Sequence, residues 1–246
     1  MTTQSIAENY IKYFDITIAQ SEEELKEVYG IRYRVYAEEF GFERPEEFPD
    51  KIERDEFDDG SVHSLITHKP TGKPAGCVRM VPTRDTKDKD PLPLEKYCDH
   101  CLDHDYLRSL EMPRQTMCEI SRLAVDGEFR KRPGESMSRV GAVDDASEEE
   151  YRTFPLIAVS AFLAAIAMSN AAGRGNMLMM TEPFLPKLMS RSGIIVERAG
   201  QDMDYHGIRA PYYLCGERAA QGIKSNIQDL YSHIYNTFEN HPLLKA

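Results

Sequence analysis

Apolar and polar positions along the chain alternate between short strand-like runs and stripes of helical period. "YFDITIA" (13–19) predicts a first strand. Over residues 21–40 the period lengthens: Leu25, Val28, Tyr29, Val35, Tyr36 and Phe40 recur at spacings of three and four, which predicts a helix. Ser21 and Glu24 supply a capping box at its start. Residues 41–60 are acidic and interrupted by proline, and predict a long loop. "SVHSLITH" (61–68), the turn "KPTGK" and "PAGCVRMVPT" (74–83) predict a β-hairpin. A polar crossing segment over 84–115, with a short helix near 92–98, leads to the buried-type strand "TMCEISRLAV" (116–125). A charged loop, 126–152, precedes the uncharged helix 154–172, which ends at Gly173. Strand 176–182, a helix opened by Pro183, strands 193–200 and 208–216, and an amphipathic helix from about 217 to 239 complete the chain. The order predicts a mixed α/β sheet, neither purely parallel nor purely antiparallel, in one domain spanning 1–246.

Composition narrows the picture. The 246 residues are 41% apolar, enough for a real core. A net charge of -11 argues against general nucleic-acid binding, which needs a basic face. The polar start "MTTQSIAENY" predicts no signal peptide, and five cysteines without secretory context read as reduced thiols, so the expected location is the cytoplasm. The segment 154–172 has nearly the length of a bilayer span. Its alanines, its Ser160, Ser169 and Asn170, and its lack of an aromatic belt favour a helix packed on a sheet instead.

Some charges break the apolar pattern. Arg32 falls within the helical stripe, whereas Arg34 points to the other side. A guanidinium cannot shed its charge, so burial there demands a carboxylate or an anionic ligand. "ERDEFD" supplies Glu53, Asp55 and Asp58, Arg79 interrupts "GCVRMVP", and Glu119 and Arg122 interrupt "CEISRLAV". Taken singly, each has a bland reading as a solvated or edge charge. Three apart, Glu119 and Arg122 share a face only if the strand carries a β-bulge, a feature enriched beside active sites.

"RYRVY" (32–36), Phe42, "ERDEFD" (53–58), "GCVRMVPT" (76–83) and "EISR" (119–122) together resemble the signature set of the autoinducer synthases, which make N-acyl-homoserine lactones. The whole chain, including "HGIRAPYYL" (206–214), is still more similar to a sister group, the acyltransferases associated with the PEP-CTERM/exosortase system, and also to N-acyl amino acid synthases. The resemblance implies the Gcn5-related N-acyltransferase fold. It implies a fatty acyl thioester as donor, on acyl carrier protein or coenzyme A, and a small primary amine as acceptor, with no bound cofactor. Arg32, Tyr36 and Phe42 would close over the amine site, and Glu53, Asp55, Asp58, Arg79, Glu119 and Arg122 would shape it. The chain departs from the pattern in two places. Phe42 stands where the lactone synthases have Trp, and "DGEFRKRPGES" does not match the phosphate loop of the wider fold family, which favours a carrier-protein donor.

The implied reaction is amine attack on a thioester carbonyl. An ammonium must first lose a proton, so a base is needed, and Glu53, Asp55 and Glu119 are the candidates. Backbone N–H groups near 122–125 are candidate oxyanion donors. Met177, Leu178, Met179, Met180, Phe162 and Ile166 either line an acyl tunnel or form plain core. Arg130, Lys131 and Arg132 are either a docking patch for the acidic carrier or a solvated charge run. "CDHCLDH" offers Cys98, His100, Cys101 and His104 as metal ligands, but no second C-x-x-C exists, and the expectation is no metal. Two other readings stay open: a lactone synthase using S-adenosylmethionine, and a non-catalytic acyl-binding regulator. The sequence leaves the oligomeric state open.

Overall fold

Two serine caps set the first helices. Ser5 and Glu8 close a reciprocal capping box at the start of α1 (Ile6–Tyr13), and Ser21 and Glu24 close another at α2 (Glu22–Arg32). The computed structural model describes residues 5–130, 147–204 and 207–245. α1 was not expected, because a polar N-terminus masks its buried anchors, Ala7, Tyr10 and Tyr13. The expected long helix over 21–40 changes form midway: α2 passes into a π-helical segment, Tyr33–Glu39. π-turns of this kind are rare and are often found at functional sites.

The strands are β1 (Phe14–Ile18), β2 (Val62–His68), β3 (Lys73–Pro82), β4 (Met117–Val125), β5 (Asn176–Thr181), β6 (Glu197–Arg198), β7 (Met203–Asp204) and β8 (Ile208–Cys215). They form one sheet in the order β1-β2-β3-β4-β5-β8-β6, with β7 also pairing β8. All pairings are antiparallel except β4 with β5. The strand expected over 193–200 shortens to the two residues of β6.

Short helices α3 (Pro93–Tyr97) and α4 (His104–Ser109) lie in the crossing segment. In the charged region 126–152, α5 (Gly127–Arg130) and α6 (Glu148–Tyr151) flank positions outside the described residues. α7 (Pro155–Ala171), α8 (Leu185–Arg191), α9 (Gly216–Gly222) and α10 (Ser225–Phe238) follow. The single C-terminal helix expected from the sequence is thus two, parted at Ile223 and Lys224.

The main core packs one face of the sheet against α1, α7 and α10. α7 is apolar all round because it is enclosed by the sheet and by α10. It comes so close to β3 that a Cβ on Gly76 would lie 3.0 Å from Ile157 and 3.1 Å from the Ala124 carbonyl, so a larger residue here would push the helix and the neighbouring strand apart by a few tenths of an ångström. Among the described residues no helix is long and apolar enough to cross a membrane. A second cluster places α2 on the opposite face, over Leu65, Cys77 and Ala124. All five cysteines are free.

Two irregularities shape the middle of the sheet. From Arg79 to Cys77, β3 takes two steps while β4 takes three, from Ser121 to Ala124. The extra residue is a bulge, and within it Arg122 has a left-handed φ of 53°. Beside it, β4 pairs with β5 only from Met117 to Glu119. Beyond that point the two strands part and leave a cavity between them.

Candidate functional site

The parted strands produce two joined cavities. The first, about 100 Å³, is the more polar of the two and is lined by Asp55, Arg79, Glu119, Ser121 and Arg122, with Leu94 and Tyr97 closing one side. The second, about 410 Å³, is mostly apolar and is lined by Ala158, Phe162 and Ile166 of α7, Met177 and Met179 of β5, and Leu185 of α8. Tyr36, Phe42, Ser121, Arg122, Met180 and Arg209 line both, so the polar cavity opens directly into the apolar one. The bulge puts Glu119 and Arg122 on the wall of the same cavity.

Behind the polar wall lies a buried charge network. Arg32 is fully buried; its Nε donates to Glu53, and its two Nη atoms donate to the oxygens of Asp58 at 2.7 and 3.0 Å. Arg79 Nη1 donates to Asp55 at 2.6 Å and to Asp58 at 2.9 Å, and its Nε reaches Ser121 at 3.1 Å. Arg122 Nη2 lies 3.2 Å from Glu53, 3.1 Å from Asp55 and 3.7 Å from Glu43. Three guanidinium groups thus interlock with Glu53, Asp55 and Asp58. Arg32 and Arg79 hold Asp58 far below the usual carboxylate range, against the upward push of burial. Asp55 is also lowered: burial alone would raise it, but Arg79 and Arg122 outweigh that. His63, 3.5 Å from Asp58, is pushed down to about 3 by burial and stays neutral.

Glu119 is the exception. It is buried, and among the described residues no arginine hydrogen-bonds to it and its one donor is the Leu94 amide at 2.7 Å. Burial drives its proton affinity up to about 8, further than that amide and the charges of Arg79 and Arg122 pull it down. A carboxyl group poised near neutrality in a cavity wall is suited to proton transfer.

The expected site residues therefore separate into two layers. Asp55, Arg79, Glu119, Arg122, Tyr36 and Phe42 line the cavities. Arg32, Glu53 and Asp58 do not: they form the layer behind. Arg32 meets carboxylates, as its burial demanded, but not the cavity, and Glu53 is committed to Arg32 and Arg122 rather than free to act as a base. Tyr36 donates to the Leu123 carbonyl at 2.8 Å, and Phe42 stacks on Phe40 with ring centres 5.3 Å apart.

Of the residues expected to line an acyl tunnel, Met177, Met179, Met180, Phe162 and Ile166 do face the apolar cavity. Leu178 does not, because strand alternation turns it to the opposite face, beside Tyr213 and Leu102; Met180 shares that face, but lies beyond the point where β4 leaves β5 and so borders both cavities. Arg130 is engaged by Glu39 and the Val125 carbonyl, and Lys131 and Arg132 lie outside the described residues. Cys98 and Cys101 are buried in a small apolar cluster, while His100 and His104 line a surface hollow. Among the described residues no three His, Cys, Asp or Glu side chains are placed to hold a metal ion. Sequence reasoning missed Ser121, the Leu94 amide and Arg209. Arg209 carried a usable signal, a lone arginine entering an apolar strand, the same signal that marked Arg79.

Residues 31–139 match the family described as the acetyltransferase (GNAT) domain. The fold is shared with TofI, solved in a ternary complex with an inhibitor and MTA (21% identity, TM-score 0.59, covering 85% of this chain and 95% of that one). It is shared with the AHL synthase LasI (18% identity, TM-score 0.58, covering 86% and 97%). It is shared with FeeM, an N-acyl amino acid synthase from uncultured soil microbes (12% identity, TM-score 0.56, covering 88% and 97%). No curated protein matches the chain.

Proposed function

On the premise that this chain carries a GNAT acyltransferase domain, we propose that it moves a fatty acyl group from a thioester donor to the amino group of an amino acid-like acceptor. The observation that carries this reading is the placement of Glu119, a carboxyl raised to about 8, in a polar cavity that opens into an apolar one. The small polar cavity would hold the amine, and the apolar cavity the acyl chain.

The acceptor enters as an ammonium, which has no lone pair. Glu119, as carboxylate, takes one of its protons directly or through a water molecule. Asp55 is a weaker base, because Arg79 and Arg122 stabilise its charged form. The freed amine attacks the thioester carbonyl, and a C–N bond forms. Backbone N–H groups near 122–125, beyond the point where β4 has left β5, would receive the oxyanion. Collapse breaks the C–S bond and releases a thiolate, which takes up the proton held by Glu119; the regenerated Glu119 carboxylate then receives the second proton of the nitrogen, leaving a neutral amide, and passes it to solvent. The methionines along the apolar cavity suit varied acyl chains, since an unbranched thioether repacks readily.

The donor is a thioester of acyl carrier protein or coenzyme A. Similar folds include a CoA-dependent acyl-homoserine lactone synthase, BjaI, solved with SAM and isopentyl-CoA. The test is mass spectrometry of products after incubation with long-chain acyl donors of both kinds, a mixture of free amino acids, and S-adenosylmethionine. The proposal expects an N-acyl amino acid. An acyl-homoserine lactone would reassign the acceptor to S-adenosylmethionine. Donor left intact under every condition would overturn the catalytic reading in favour of acyl binding alone.

A further inference from the structure

Arg32, Arg79 and Arg122 are each neutralised by carboxylates, but Arg209 is not. Among the described residues its guanidinium forms no ion pair, and its buried Nε has no hydrogen-bond partner. A buried donor without an acceptor is costly and uncommon in a folded protein. Arg209 stands at the entry to β8, in register with Met203 on β7, which fixes its backbone. Its guanidinium lies over the ring of Phe42, 5.2 Å from the centroid, and Phe42 is in turn stacked on Phe40. A guanidinium held by its face on an aromatic ring keeps its N–H edges available for a planar anion. Arg209 also lines both cavities.

We propose that Arg209 is the carboxylate-recognition residue of the acceptor site, so that the acceptor is an amine bearing a carboxylate. The inference rests on the acyl-transfer reading above. A planar carboxylate matches the paired N–H edges of arginine. The alternative anion is a phosphate of the acyl donor. The surroundings favour the carboxylate: the cavity that Arg209 shares with Glu119 is small, about 100 Å³, and the other two guanidinium groups on its wall, Arg79 and Arg122, are already paired with carboxylates, so Arg209 faces a site that also offers Glu43, Asp55 and Glu119 to an ammonium. A zwitterion satisfies both sides at once, with its ammonium toward Glu119 and its carboxylate toward Arg209.

The experiment compares α-amino acids with the matching amines that lack the carboxylate, using one acyl donor, in the wild-type protein and in Arg209→Gln and Arg209→Lys. Wild type is expected to favour the amino acid in kcat/KM. Arg209→Gln is expected to lower that preference by about ten- to a hundredfold, chiefly through KM, and Arg209→Lys to retain part of it. A preference unchanged by Arg209→Gln overturns the proposal. If the KM for acyl-CoA rises instead, while that for an acyl thioester without phosphates does not, the anion belongs to the donor. If the wild type acylates neither acceptor, the acyl-transfer reading fails by itself. Calorimetric binding of an N-acyl amino acid against the corresponding N-acyl amine then tests Arg209 separately. Equal loss of both ligands on Arg209→Gln overturns it.

Discussion

Glu119 holds its proton because burial disfavours the carboxylate more than nearby Arg79 and Arg122 favour it. Replacing it with Gln keeps the shape and removes the base. We expect kcat/KM of Glu119→Gln to fall by about 10²- to 10⁴-fold. In the wild type the rate should rise with pH toward about 8, and the variant should lose that limb while keeping its far-ultraviolet circular dichroism. Arg32 behaves differently. It touches Glu53 and Asp58 but not the cavity, so its removal acts first on stability. Arg32→Met leaves two buried carboxylates short of a partner and should cost about 3–5 kcal/mol in urea unfolding. A variant as stable as wild type, with only KM changed, would put Arg32 in the substrate site after all.

At the scale of elements, the site depends on one strand leaving another. β4 and β5 share pairings only to Glu119 and Leu178, and α7 floors the gap that follows. Ala158 of α7 is half-buried and faces that gap. Ala158→Phe should fill part of the apolar cavity without disturbing the enclosed side of the helix. The expected result is a shift toward shorter acyl groups in a competition among donors of different length, read by mass spectrometry. An unchanged length distribution would remove the cavity from the acyl path. The sequence made these elements legible where the apolar pattern was regular: the 61–83 hairpin, strand 116–125 and helix 154–172 appear close to their expected bounds. It failed where local signals were weak. α1 is anchored by three buried residues in a polar stretch, and the break between α9 and α10 interrupts one continuous amphipathic stripe.

For the whole molecule, opposite titrations bound the pH range of stability. Asp55 and Asp58 are lowered in the folded state, so their contribution is present above the unfolded carboxylate range and is lost as pH falls below about 4. Glu119 is raised, so its contribution is fully present below about 4.5 and is lost as pH rises through about 8. Urea midpoints measured from pH 2 to 10 should therefore decline at both ends. Glu119→Gln should flatten the alkaline decline and leave the acid one. A wild-type midpoint that stays level from pH 6 to 9 would contradict the raised affinity of Glu119.

By itself the sequence determined most of the order of elements, the demand of a buried Arg32 for an anionic partner, and the need for a bulge to bring Glu119 and Arg122 together. Those follow from local rules: side-chain period, capping, and the cost of burying a guanidinium without a partner. Only the tertiary structure decided which charged residues face the cavity. Arg32 and Arg79 carry the same sequence signal, yet one lies behind the wall and the other in it. Leu178 and its methionine neighbours are equally apolar, yet strand alternation sends Leu178 to the other face. Arg209 lies 177 positions from Arg32 in the chain and reaches the site only because β8 pairs with β5 beside the opened strand. Exposure and partnership depend on residues far apart in sequence, and folding alone brings them into contact.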